Sequence, residues 1–134
     1  MKESELQVAV ADYLRLRYPD VLFHSDFGSG IKLTKGQAMK QYRQNGGRRG
    51  WPDIFVAHVA THGDRYYHGL FIELKKDGTR LQKKNGEFAS PHIKEQWEML
   101  GALTFRGYKA EFAVGFEQAK KIIDEYLGGE NDNY

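Results

Sequence analysis

The sequence predicts an α/β domain in which a central mixed β-sheet is flanked by helices. Three observations carry that expectation. Residues 3–17 (ESELQVAVADYLRLR) repeat their apolar positions with the 3.6-residue period of a helix. Two β-rich runs, 53–60 (DIFVAHVA) and 70–76 (LFIELKK), flank the turn-forming stretch 60–69 (ATHGDRYYHG). A helix, a strand and a second helix then follow with no linker and no internal repeat, the pattern of layered α/β structure.

Each element has its own justification. Leu6, Val10, Tyr13 and Leu14 form the apolar stripe of the first helix, with Ala9 and Leu16 beside it. Acids in its first turn and Arg15 and Arg17 in its last suit the helix dipole. Pro19 disfavours helical backbone at Tyr18 and ends it. VLFHSDF (21–27) reads as a short strand, and Gly28, Gly30 and Gly36 break the chain after it. GQAMKQYRQN (36–45) reads as a short polar helix. GGRRG (46–50) is a loop whose glycines let backbone approach a partner closely.

The runs 53–60 and 70–76 form a hairpin with Gly63 and Asp64 near its tip. Residues 77–89 are a polar loop. Ser90 is the expected N-cap, and Pro91 the first residue, of a helix reaching about Arg106. Its expected apolar stripe is Ile93, Trp97, Leu100 and Leu103 or Thr104, and Gly107 stops it. KAEFAV (109–114) is a strand, 116–127 a helix, and 128–134 a frayed tail. The whole chain, 1–134, is expected to be one domain ordered α-β-β-β-α-β-α, with the short polar helix inserted after the first strand.

Composition narrows the function classes. With 134 residues and no Cys, the chain needs no disulfide staple, cannot build thiolate metal sites, and fits a cytoplasmic protein. No apolar run approaches the roughly 18 residues of a membrane span, and the first residues (MKESELQ) do not resemble a signal peptide. Net charge is only +2, but it is unevenly placed. Residues 28–52 hold no acid and six bases: Lys32, Lys35, Lys40, Arg43, Arg48 and Arg49. A second basic group follows residue 74, at Lys75, Lys76, Arg80, Lys83 and Lys84, while the chain from Glu117 onward is mainly acidic. Basic segments around buried acids suggest a polyanion approaching a cation-dependent centre.

Those acids are Asp53 and Glu73. Asp53 follows Pro52 at the mouth of one strand, and Glu73 and Lys75 stand two apart near the end of the next. Period-2 alternation puts Glu73 and Lys75 on one face, and antiparallel pairing brings Asp53 opposite them. Two close carboxylates repel unless a proton or a cation sits between them. Mg²⁺ takes one or two carboxylates with carbonyl and water oxygens, so Asp53, Glu73 and the carbonyl of Leu74 would suit it. Lys75 could orient or deprotonate an attacking water. Either motif alone reads better as a strand cap or a surface ion pair. On adjacent strands, with IFVA and LFI burying their base, they read as a site for phosphodiester hydrolysis.

At this point the chain resembles a known family. "PD…ELK" resembles the PD-(D/E)xK nuclease superfamily, and five segments in order resemble its VRR-NUC domains: Glu3-x-x-Leu6-Gln7, GRRGWPDIFV, LFIELK, SPHIKEQWEMLGALTFRGY and AVGFEQAKKII. The resemblance implies a restriction-endonuclease-like fold and a Mg²⁺- or Mn²⁺-dependent endonuclease of phage or bacterial origin. It further implies similarity to Holliday junction resolvases, cutting of branched DNA such as junctions or flaps in replication and repair, and a homodimer as the working form. Asp53, Glu73 and Lys75 match the catalytic triad. The acid of the first helix that joins the metal site falls at Glu3, with Glu5 as rival. Glu3 shares a helical face with Gln7, four residues on. Gln7 and Gln96 match family glutamines, with Gln96 facing the site and Gln7 supporting it.

The basic stretch of about 28–50 departs from the family core and reads as a DNA-facing lobe. Lys32, Lys35, Lys40, Arg43, Arg48, Arg49 and Lys76 would bind phosphates with little sequence preference. Trp51 could stack on a base, although a core position beside the site fits it better. His24 and His92 are candidate neighbours of the site. The rival function is a non-catalytic nucleic-acid-binding module with the same fold, and an RNA-directed nuclease differs only in substrate.

Overall fold

The computed structural model describes residues 1–26 and 32–128. The described residues form, in order, α1 (Glu3–Arg17), β1 (Phe23–Ser25), α2 (Lys35–Gln44), β2 (Ile54–Val56), β3 (Ala60–His62), β4 (Arg65–Tyr67), β5 (Leu70–Lys75), α3 (Pro91–Phe105), β6 (Lys109–Val114) and α4 (Phe116–Ile123). A π-helical turn over Asp124–Gly128 extends α4. The expected breaks at Gly28 and Gly30 and nearly all of the expected frayed tail lie outside the described residues. No helix among the described residues is long and apolar enough to cross a membrane.

The main sheet has the order β1-β2-β5-β6. β1 and β2, and β2 and β5, pair antiparallel, whereas β5 and β6 pair parallel through the α3 crossover. Register fixes which side chains share a face. Ile54 is opposite Ile72, Val56 opposite Leu70, and Leu74 opposite Ala113. All six are buried, together with Leu6, Val10 and Leu14 of α1, Ala119 and Ile123 of α4, and Tyr126. Asp124 ties this layer together by accepting hydrogen bonds from the hydroxyls of Tyr13 and Tyr18.

Alternation sends Phe55, Phe71, Glu73 and Lys75 to the other face. That face carries an aromatic stack, with Phe55 and Phe71 centroids 4.5 Å apart and Tyr108 at 5.2 Å from Phe71. The buried side chains of α3, Ile93, Gln96, Met99, Leu100 and Leu103, lie outside the α1/α4 core cluster.

Ser90 caps α3 by accepting from the Ile93 amide, with Pro91 in the first turn. At α2, Thr34 and Gln37 form a reciprocal capping box. Several expectations need correction. The expected strand 53–60 stops at Val56, and residues 60–62 pair instead with 65–67 in a separate two-stranded sheet. The cause is Tyr126. Its buried hydroxyl donates to the His58 carbonyl at 2.7 Å, and the His62 ring contacts the Tyr126 carbonyl at 3.2 Å, drawing this segment off the main sheet. Of the strand expected over 21–27, the described residues form strand at 23–25, and residue 27 lies outside them. Leu16 is 69% exposed rather than beside the core. On α3, Trp97 is 54% exposed and leans on Phe88, and the buried stripe runs through the polar Gln96 instead.

Candidate active site

The site begins where β2 and β5 end. Ile54 faces Ile72, so one residue further out Asp53 faces Glu73, on the α3 side of the sheet. Asp53 is 8%, Glu73 4% and Lys75 7% exposed, so three ionisable side chains are buried within one strand pair. The Asp53 Oδ2 accepts the Leu74 amide at 2.7 Å, and the Asp53 carbonyl accepts the Asp26 amide at 2.7 Å. Asp53 is thereby held from both neighbouring strands.

Gly50 sets the approach of the loop that carries Asp53. Its φ is +81°, and a Cβ there would lie 2.8 Å from the Glu95 carbonyl. Only glycine combines that backbone with that contact. The close approach read into GGRRG is therefore partly to the protein's own α3 rather than wholly to an outside partner. Arg49 lies over the Tyr42 ring, 4.6 Å from its centroid, and links the same loop to α2.

Burial raises the Glu73 carboxyl, and a hydrogen bond and the charge of Asp53 raise it further. Lys75 partly opposes them and Glu3 adds to them, leaving Glu73 pushed up to about 10. At neutral pH Glu73 therefore holds a proton that it shares with Asp53. The donor set suits a hard divalent cation, which would replace that proton between the two acids. Among the described residues, no three His, Cys, Asp or Glu side chains are grouped to hold a metal by themselves. Two carboxylates completed by water and carbonyl oxygens are the pattern of a Mg²⁺ site rather than a closed protein cage.

A cavity of about 820 Å³ opens over this pair, and Glu3, Lys75 and Gln96 also line it. Glu3 is half-buried there, whereas Glu5 is exposed and does not line it. Gln96 is 5% exposed, its Nε2 is 3.2 Å from the His92 Nε2, and its buried Oε1 has no hydrogen-bond partner among the described residues. Gln7 does not line the cavity and donates to Ser25 Oγ at 2.6 Å and to the Asp26 carbonyl at 2.7 Å. Leu74 turns its side chain into the core and gives the site its amide.

From the basic segment, Lys35, Arg48 and Arg49 line the cavity. Lys32, Lys40, Arg43 and Lys76 are exposed outside it. Trp51 is 41% exposed at the cavity wall, not in the core. His92 is a neighbour of the site and His24 is not among the lining residues.

Sequence reasoning missed Asp26 and Glu95, which also line the cavity. Ser25 pairs with Ile54, so Asp26 continues the register opposite Asp53. The signal was the pairing of the first strand with the second, which neither segment states alone.

No protein-family model matches the sequence, and no curated protein matches it. Among solved structures, the chain is similar to one described as a VRR_NUC domain protein, with a TM-score of 0.62 and 24% identity. The match covers 96% of this chain and 89% of that one. With its mixed sheet, its helices on both faces and its acids at the strand ends, the chain has the restriction-endonuclease-like PD-(D/E)xK fold, in the form seen in a VRR_NUC domain protein.

Proposed function

We propose that the protein is a Mg²⁺- or Mn²⁺-dependent DNA endonuclease that acts on branched DNA such as four-way junctions or flaps. The observation that carries this reading is the buried Asp53–Glu73 contact beside Lys75, under a cavity with basic walls. A buried pair of acids that must share a proton destabilises a fold, so its value lies in what replaces the proton.

Asp53 and Glu73 would hold the cation, with Glu3 reaching the same space from α1. When bound, the ion supplies Lewis acidity to a phosphoryl oxygen and acidifies a coordinated water. As an ammonium, Lys75 Nζ places positive charge beside the carboxylates and can orient the attacking water; only as the free amine could it take that water's proton. Gln96 lines the cavity and carries a buried amide oxygen without a hydrogen-bond partner among the described residues, suited to a water or to the lysine ammonium. Lys35, Arg48 and Arg49 face a backbone phosphate, and Lys32, Lys40, Arg43 and Lys76 extend the positive surface around it.

Paired incisions across a junction need two such centres, so the working form would be a homodimer. The test is cleavage of labelled four-way junction, flap, duplex and single-stranded DNA, with Mg²⁺, Mn²⁺ or EDTA. Lys75→Ala is run in parallel, and light scattering gives the oligomeric state. Cutting that needs metal and Lys75 supports the reading. DNA binding without cutting under either metal leaves a binding module with an unused site.

A further inference from the structure

A second groove, of about 890 Å³, adjoins the candidate active site and is lined by α3 and the loop before β2. Tyr42, Arg48, Arg49, Trp51, Glu98 and Arg106 are on its walls. Trp51 borders both spaces and stands two residues before Asp53. Its ring is tilted against Phe71, with centroids 6.4 Å apart, and it remains 41% exposed. No packing or chemical role described above accounts for that exposure.

The groove is not a uniformly basic track. Arg48, Arg49 and Arg106 supply positive charge, while Glu98 and Glu95 present carboxylates from α3. Carboxylates repel a duplex backbone, but they accept hydrogen bonds from the exocyclic amino groups of bases. An aromatic face, arginines for phosphates and acceptors for a base edge together match a nucleotide whose base is unpaired. A paired base would keep its edge and both faces inside the helix.

We infer that this groove receives an unpaired nucleotide next to the scissile phosphate, with its base stacked on Trp51. The inference rests on the nuclease reading and narrows its substrate to DNA with a single-stranded end or a splayed branch point.

The test is a binding experiment in EDTA, so it does not depend on catalysis. The chain has two Trp, and Trp97→Phe leaves Trp51 as the fluorescent reporter. Tailed duplex and single-stranded oligonucleotides should quench it, and blunt duplex should not. In the native chain, Trp51→Ala should weaken tailed DNA by roughly 5- to 150-fold, the range of one lost base stack, and Trp51→Phe should restore most of the affinity. Arg106→Gln, outside the Trp51 packing, should weaken tailed DNA more than blunt duplex. Equal quenching by blunt duplex, or unchanged tailed-DNA affinity in both Trp51→Ala and Arg106→Gln, would overturn the inference. Cleavage of blunt duplex on adding Mg²⁺ or Mn²⁺, with no Trp51 signal from any DNA in EDTA, would overturn it while sparing the nuclease reading. Tail-selective quenching in EDTA, with no DNA cut under either metal, would overturn the nuclease reading and support the groove as a site for an unpaired nucleotide.

Discussion

The two faces of one sheet differ sharply. Toward α1 and α4, strand β5 presents Leu70, Ile72 and Leu74, all buried against apolar neighbours. Toward α3, the same strand presents Phe71, Glu73 and Lys75. Burial is similar on the two sides, but the chemistry is not: Ile72 is 0% and Glu73 4% exposed. The first face stabilises the fold by removing apolar area from water. The second spends part of that stability on buried ionisable groups, the usual signature of a site rather than a core.

The largest test of this contrast changes the apolar face. Ile72→Ala should cost about 2–5 kcal/mol by removing buried methyl groups and leaving a cavity, measured by urea unfolding. Next comes the loop that joins the two faces. Gly50→Ala forces a side chain into left-handed backbone and against the Glu95 carbonyl. It should cost about 1–3 kcal/mol and lower any cleavage by roughly tenfold or more through displacement of Asp53. Equilibrium unfolding and kcat measured on the same preparation would check both.

Glu73→Gln should act in the opposite sense. Without metal, the unfolded chain loses this proton near pH 4.5 and the folded chain keeps it to about 10. Between those values the folded state binds more protons, so native stability falls as pH rises. Glu73→Gln removes that slope. In EDTA the variant should melt with the native chain near pH 4 and above it at pH 8, by on the order of 5 °C. Calorimetry at the two pH values decides it, and an equal offset at both would separate the effect from Glu73 ionisation. The smallest effect is expected at Lys40, exposed outside the cavity. Lys40→Ala should lower the salt slope of DNA binding by about one, with little change in sequence preference.

Much of this was legible in the sequence because local chemistry repeated itself. The periodicity of α1, the Ser90-Pro91 start of α3 and the Gly107 stop are local signals, and the structure has them. The juxtaposition of Asp53 with Glu73 was legible too, since period-2 alternation and one antiparallel pairing suffice. What was hidden depends on contacts between distant segments. The 53–60 run looks like one strand until Tyr126 binds the His58 carbonyl. Trp97 looks like core because it is large and apolar, but α3 is rotated so that Gln96 is buried. Asp26 became visible only once β1 was paired with β2.

In the proposed function, a divalent cation takes the place of the proton shared by Asp53 and Glu73. Calorimetric titration of the native chain with Mn²⁺ at pH 7, repeated in buffers of different ionisation enthalpy, measures that exchange directly. The account predicts binding with release of about one proton per ion, and loss of that binding in Asp53→Asn. Binding without proton release, or binding that Asp53→Asn leaves intact, would contradict it.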